Sequence, residues 1–196
     1  MTKNDIFNEI FEGVKKIPVI DTHEHLLWSE EIRVNEKTDV LREYLSHYMK
    51  SDVISAGLKQ EDYNKVIDVN LDINERWKIV EPFWEVSRYT GYGNALDIAV
   101  KAIYNIERID RNTIQNLNEE FLKCKTTGHY EHVLKDLCGI RTSLLDIWTF
   151  RLDGENSLFK RIWQPQNFIN PMPPDGYKIM SYIEENYSIK VQTLDD

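Results

Sequence analysis

The sequence predicts an α/β fold in which short parallel strands are separated by helices. Two short segments rich in β-branched and apolar residues, Ile17–Ile20 and residues 140–147, have the composition of buried strands. Between them, apolar residues recur every three or four positions, which is the period of an amphipathic helix. Because strands that are separated by helices usually pair in parallel, these observations together indicate the α/β class.

The elements are predicted in a simple order along the chain. A first helix over 4–16 places Ile6, Phe7, Ile10, Phe11 and Val14 on one face, and a strand over Ile17–Ile20 follows and ends at Asp21. Helices are then predicted at 38–50 and at about 60–68, 74–86, 92–106, 112–127 and 130–138. After the second strand, four prolines mark a loop over 165–174, a helix follows over 175–186, and a strand over 189–194 comes last.

The helices between the first two strands form a large insertion at about 38–138. Such an insertion is expected to make a helical subdomain over one end of a sheet or barrel. The whole chain, 1–196, is expected to be one domain. It is shorter than the roughly 250 residues that a complete (β/α)8 barrel needs.

The composition restricts which partners and which cellular compartment are expected for the protein. The net charge of -9 gives no electrostatic attraction to phosphate backbones, so nucleic acid is not an expected partner. No apolar run approaches the roughly 18 residues of a membrane span. The two cysteines, Cys124 and Cys138, form no Cys-x-x-Cys motif, and a reduced cytoplasmic setting is expected.

Two histidines follow the first predicted strand, in the run Val19-Ile-Asp-Thr-His-Glu-His25. In an extended chain, residues two apart project to the same side, so His23 and His25 can reach one cation. Neutral imidazole suits zinc, iron, nickel or manganese better than calcium. The spacing alone leaves a chance surface pair open, but its place at the C-terminal end of a strand favours a metal site.

This motif resembles the first-strand signature Asp-x-His-x-His of the amidohydrolase superfamily. The segments 51–57, 77–84 and 88–92 also resemble the amidohydrolase-related branch, which is similar to the uronate isomerases and shares their long helical insertion. The resemblance implies the N-terminal part of a (β/α)8 TIM-type barrel. It also implies that His23 and His25 bind a divalent metal ion, with zinc first and manganese, iron or nickel as alternatives.

Members of this superfamily bring further metal ligands and a catalytic aspartate from later strands. The chain stops at Asp196, so we expect it to correspond to the N-terminal portion, and its catalytic residues stay unknown. The implied function is metal-dependent hydrolysis of a small carboxylate- or sugar-acid-like substrate. The alternatives are a uronate-isomerase-like enzyme, or a catalytically silent helical binding domain that pairs with a second copy or with a second-half chain.

Other polar residues are candidates for additional roles at this site. Arg88 lies among tyrosines and is a candidate for binding a substrate carboxylate through its planar guanidinium. Asp146 ends the second predicted strand, either as a capping residue or as an acidic group on the same face as His23. The three remaining histidines are interpreted as surface residues: His47, His129 and His132.

Overall fold

The computed structural model describes residues 2–146, 157–162 and 175–190. The first elements are α1 (Lys3–Lys15), β1 (Val19–Glu24), α2 (Glu30–Asn35), α3 (Val40–Tyr44), α4 (His47–Ser55) and α5 (Gln60–Val66). They are followed by α6 (Ile73–Ser87), α7 (Gly91–Tyr104), α8 (Ile114–Lys123), α9 (His129–Glu131) and a π-helical segment (His132–Leu137). The remaining elements are β2 (Ile140–Leu145), β3 (Phe159–Arg161) and α10 (Asp175–Tyr187).

The α/β class and the parallel pairing are confirmed. The three strands form one sheet in the order β1-β2-β3. Strands β2 and β3 pair in parallel, with Ser143 opposite Phe159. Strands β1 and β2 also run in the same direction, because Val19 N–H donates to Gly139 O at one end and Asp146 N–H to Glu24 O at the other.

Several predicted boundaries differ from the structure. Strand β1 begins at Val19 and continues to Glu24, so His23 lies inside the strand rather than beyond its end. The helix predicted over 38–50 is two helices, α3 and α4, because His47 takes a left-handed conformation with φ 48°. Helix α2 and strand β3 were not predicted. The predicted loop 165–174, and the last predicted strand apart from residues 189 and 190, lie outside the described residues.

The chain divides into two compact units, Met1–Val19 with Leu27–Arg141, and Ile20–Leu26 with Thr142–Asp196. The first is helical, and its core surrounds Trp77 and Trp84 on α6, which are 1% and 0% exposed. These tryptophans pack with apolar residues of α3, α4, α5, α7 and α8. The predicted spacing of Trp77, Val80 and Trp84 on one helix face is confirmed, because all three are buried.

One ion pair is buried in the helical unit. Arg76 on α6 is 2% exposed and forms a two-pronged ion pair with Asp39, which precedes α3. The remaining guanidinium donors reach the carbonyl oxygens of Val66 and Leu71. A buried charge is tolerated only when it is paired and hydrogen-bonded, and this arrangement meets both conditions.

The second unit contains most of the sheet and α10. Along β2, Ser143 and Leu145 are fully buried, whereas their neighbours Thr142 and Leu144 are half-buried. No helix in the described part of the chain is long and apolar enough to cross a membrane.

Candidate metal centre

The C-terminal ends of β1 and β2 bring two histidines and an aspartate together in the second unit. His23 lies in β1, His25 follows the strand, and Asp146 follows β2. The hydrogen bond from Asp146 N–H to Glu24 O, at 2.7 Å, sets Asp146 level with the end of β1. One ligand atom from each of the three side chains lies within 4.8 Å of the other two.

The two imidazole rings meet through their Nε2 atoms. His25 Nε2 lies 2.9 Å from His23 Nε2, and the rings are nearly perpendicular, with an angle of 83° between their planes. His23 Nε2 also lies 3.6 Å from Asp146 Oδ2. At the usual metal–nitrogen distance of about 2.0–2.1 Å, two nitrogens 2.9 Å apart subtend roughly 90° at the ion. A tetrahedral ion would need them about 0.4 Å further apart, which is a small ring adjustment.

A backbone contact fixes the orientation of His25. Its Nδ1 lies 3.1 Å from the carbonyl oxygen of Asp146, which can only accept a hydrogen bond. Nδ1 therefore carries a proton, and in the corresponding neutral tautomer the Nε2 lone pair points toward His23. A ligating histidine is commonly held in this way, with its second nitrogen donating to a carbonyl group.

The nitrogen and oxygen atoms that face one another in this cluster have more lone pairs than hydrogen atoms to donate. With His25 Nε2 unprotonated, the 2.9 Å contact requires a proton on His23 Nε2 or a cation between the rings. Asp146 is mostly buried, and its Oδ1 atom has no hydrogen-bond partner among the described residues. The other carboxylate oxygen, Oδ2, lies 3.6 Å from His23 Nε2, so it is the oxygen that can share a cation with the two rings. The residues therefore fit a divalent metal ion.

Neighbouring carboxylates hold the backbone of this segment. Asp21 Oδ1 accepts from His23 N–H at 3.1 Å, and Glu24 Oε1 accepts from His25 N–H at 2.7 Å and from Leu26 N–H at 3.1 Å. Burial raises the pKa of the Glu24 carboxyl above its usual value, and the nearby Asp21 carboxyl adds to this effect. These contacts order the chain on both sides of His25.

The sequence leaves Asp146 either as a strand-end capping residue or as an acidic group on the same face as His23. In the structure it directly follows β2, and its Oδ2 lies on the side of His23. The signal for this position in the sequence is an acidic residue directly after the second predicted strand. The pairing of β1 with β2 was not readable from the sequence, because their connection spans more than a hundred residues.

Arg88 belongs to the first unit, and its guanidinium group interacts with two carboxylates. It caps the end of α6, and its Nη2 lies 2.5 Å from Asp97 Oδ2, with Glu85 at 3.7 Å. The side chain is 11% exposed and borders an open cavity of about 360 Å³ with Tyr89 and Arg108. Its guanidinium charge is therefore balanced within the unit, which weakens the case for a substrate-carboxylate clamp.

The other histidines lie in the helical unit, away from any such cluster in the part of the chain that the structure describes. His47 is exposed at the start of α4. His132 pairs with Asp136 at 3.3 Å on the π-helical segment. His129 begins α9, and burial, together with the positive charge of Arg33, lowers its pKa.

Comparison with known proteins does not assign the chain to a family. No family model matches the chain, and no curated protein matches it. The proposed function therefore rests on the geometry of the site.

Proposed function

We propose that this chain contributes the first ligands of a divalent-metal site in an amidohydrolase-type enzyme. The observation that carries the proposal is the convergence of His23 Nε2, His25 Nε2 and an Asp146 carboxylate oxygen within 4.8 Å. Two imidazoles and a carboxylate are a common set of protein ligands in catalytic zinc sites, and the same set holds ferrous iron. Zinc is the first expectation, with manganese, iron or nickel as alternatives.

The barrel is part of the same proposal. In parallel α/β barrels the active site lies at the C-terminal ends of the strands, which is where His25 and Asp146 lie. The three parallel strands would be the beginning of a (β/α)8 barrel, and the helices from Val40 to Leu137 its insertion. Further strands would close the barrel.

Each residue has a defined task in this proposal. When bound, a divalent ion supplies Lewis acidity that polarises a carbonyl group and activates water. His25 is held by the Asp146 carbonyl so that its Nε2 lone pair faces the ion position. His23 would hold the ion through an unprotonated Nε2, with its ring proton on Nδ1, and the Asp146 carboxylate would balance part of the ion's charge. The proposed reaction is hydrolysis of a C–N or C–O bond in a small carboxylate- or sugar-acid-like substrate.

An activity panel tests this function. Purified chain loaded with zinc or manganese would be assayed against N-acyl amino acids, lactones and uronates. Metal-dependent hydrolysis that is lost in His25→Ala and kept in His132→Ala would support the proposal. His132 is a matched control because it is an exposed histidine on a helix of the other unit. Metal-dependent isomerisation of uronates without hydrolysis would favour the isomerase alternative, and no turnover by the metal-loaded chain would contradict an enzymatic role for the chain on its own.

A further inference from the structure

The apolar face of α1 is exposed along its whole length. Six apolar residues between positions 6 and 17 are 45–64% exposed, and no residue of the helix is buried. Five of them lie on α1, and Ile17 follows the end of the helix, where its N–H donates to Val14 O at 3.0 Å. The five on the helix are Ile6, Phe7, Ile10, Phe11 and Val14. The rings of Phe7 and Phe11 stack on each other, with centroids 5.7 Å apart, so they form one continuous surface. A patch of this kind on a protein surface marks an interaction site.

The spacing of these residues selects another helix as the partner. Phe7, Ile10, Val14 and Ile17 follow intervals of three, four and three, which is the spacing of a coiled-coil seam. Ile6, Phe11 and Gly13 flank this seam, and no atom of the described residues lies within 4 Å of a Cβ placed at Gly13. A second helix can therefore approach α1 closely on the side of Gly13. Five charged residues lie away from the seam: Asp5, Glu9, Glu12, Lys15 and Lys16.

The exposed area is enough for a pair of identical helices. Six half-exposed side chains offer roughly 100 Å² each, so two copies would bury roughly 1,200 Å² in total, the lower limit for a specific interface. Lys3 occupies the seam position before Phe7. A parallel pair would place the two Lys3 ammonium groups opposite each other, whereas an antiparallel pair separates them. In the antiparallel register, Phe7 of one copy faces Ile17 of the other, and Ile10 faces Val14.

We propose that the apolar face of α1 binds the same face of a second copy of this chain, with the two helices antiparallel. This proposal is independent of the metal centre, because α1 belongs to the other compact unit. A seam of two heptads gives a modest interface, so the dimer should dissociate in the micromolar range.

Sedimentation velocity of the full chain tests the proposal, over about 1 to 100 µM. We expect the dimer fraction to rise with concentration, Ile10→Glu to raise the dissociation constant at least about tenfold, and Asn8→Glu to leave it within about twofold. Asn8→Glu is the matched control, because it adds the same charge on the polar face. Circular dichroism would establish that both variants keep their helices.

Disulfide trapping tests the orientation. Chains carrying Phe7→Cys and chains carrying Ile17→Cys would be mixed, with Cys124→Ser and Cys138→Ser in both. The antiparallel pair predicts disulfides between positions 7 and 17, and disulfides only between two copies of position 7 would overturn it. A chain that stays monomeric at about 100 µM, or equal effects of Ile10→Glu and Asn8→Glu, would overturn the dimer and show that another partner covers this face.

Discussion

His23 and His25 direct their Nε2 atoms at each other across 2.9 Å, while the Nδ1 atom of His25 is held by the carbonyl oxygen of Asp146. Residues two apart in an extended chain project to the same side, which brings the two rings together. Here the backbone of the neighbouring strand end determines which nitrogen of His25 is free. The pair and Asp146 therefore behave as one unit, and changes at any of the three should affect the same cation.

Replacing the Asp146 carboxylate should weaken metal binding without lowering the stability of the metal-free chain. In the metal-free chain, Asp146→Asn should leave the free energy of unfolding unchanged or slightly higher, because Oδ1 is buried without a partner among the described residues. With zinc at about 100 times its dissociation constant, the wild-type chain should gain about 2.7 kcal/mol, and the variant should gain less. Urea unfolding with EDTA and with zinc measures both values. A variant that is much less stable in EDTA would show that Asp146 has a structural role.

Removing one partner of the buried Arg76–Asp39 ion pair should strongly destabilise the helical unit. Arg76→Ala should lower the free energy of unfolding by about 3–5 kcal/mol, because it leaves the Asp39 carboxylate buried without its counter-charge. Lys78→Ala on the same helix is the control. Lys78 pairs with Glu75 on the exposed surface, so its loss should change the free energy of unfolding far less than the loss of Arg76. Similar urea midpoints for the two variants would contradict this difference.

Arg88 should prove to be a structural residue. Its guanidinium pairs with Asp97, whose other oxygen accepts from Ile109 N–H at 3.2 Å. Arg88→Ala should therefore lower the free energy of unfolding by about 1–3 kcal/mol, because the mostly buried Asp97 loses its charged partner. Chemical denaturation measures this value. Unchanged stability, combined with a raised KM for a carboxylate substrate, would instead support the binding role expected from the sequence.

Acidic pH should weaken the fold through His129. Burial lowers the pKa of this side chain below 6.5, so the unfolded chain takes up a proton before the folded chain does. The contribution of His129 is complete above pH 6.5 and is lost as the pH falls from 6.5 through the lower folded pKa. Urea unfolding of wild type and His129→Gln at several pH values between 5 and 7.5 measures the effect. The difference between the two chains should change over this range, and a constant difference would contradict the prediction.

Local patterns in the sequence predicted the helices and the proximity of His23 and His25 better than the contacts between distant segments. The repeat of Trp77, Val80 and Trp84 reveals a buried helix face, because one helix determines its own periodicity. The spacing of His23 and His25 is likewise local. Asp146 was harder to place, because its position depends on which strand lies beside β1.

Other differences have physical causes of the same kind. The three-residue strand β3 exists through its pairing with β2 and has too few residues for a pattern of its own. The break between α3 and α4 comes from the left-handed conformation of His47, which the apolar spacing does not report. The Arg88–Asp97 ion pair joins the end of α6 to α7, and the spacing of residues in the sequence does not show which carboxylate the guanidinium contacts.

The central claim is that His23, His25 and Asp146 hold one divalent ion. Calorimetric titration of the purified, EDTA-treated chain with zinc tests it most directly. We predict one ion per chain for the wild type and for His132→Ala, and loss of this binding in His23→Ala and His25→Ala. No zinc binding by the wild-type chain, or binding that both alanine variants at the centre retain, would contradict the claim.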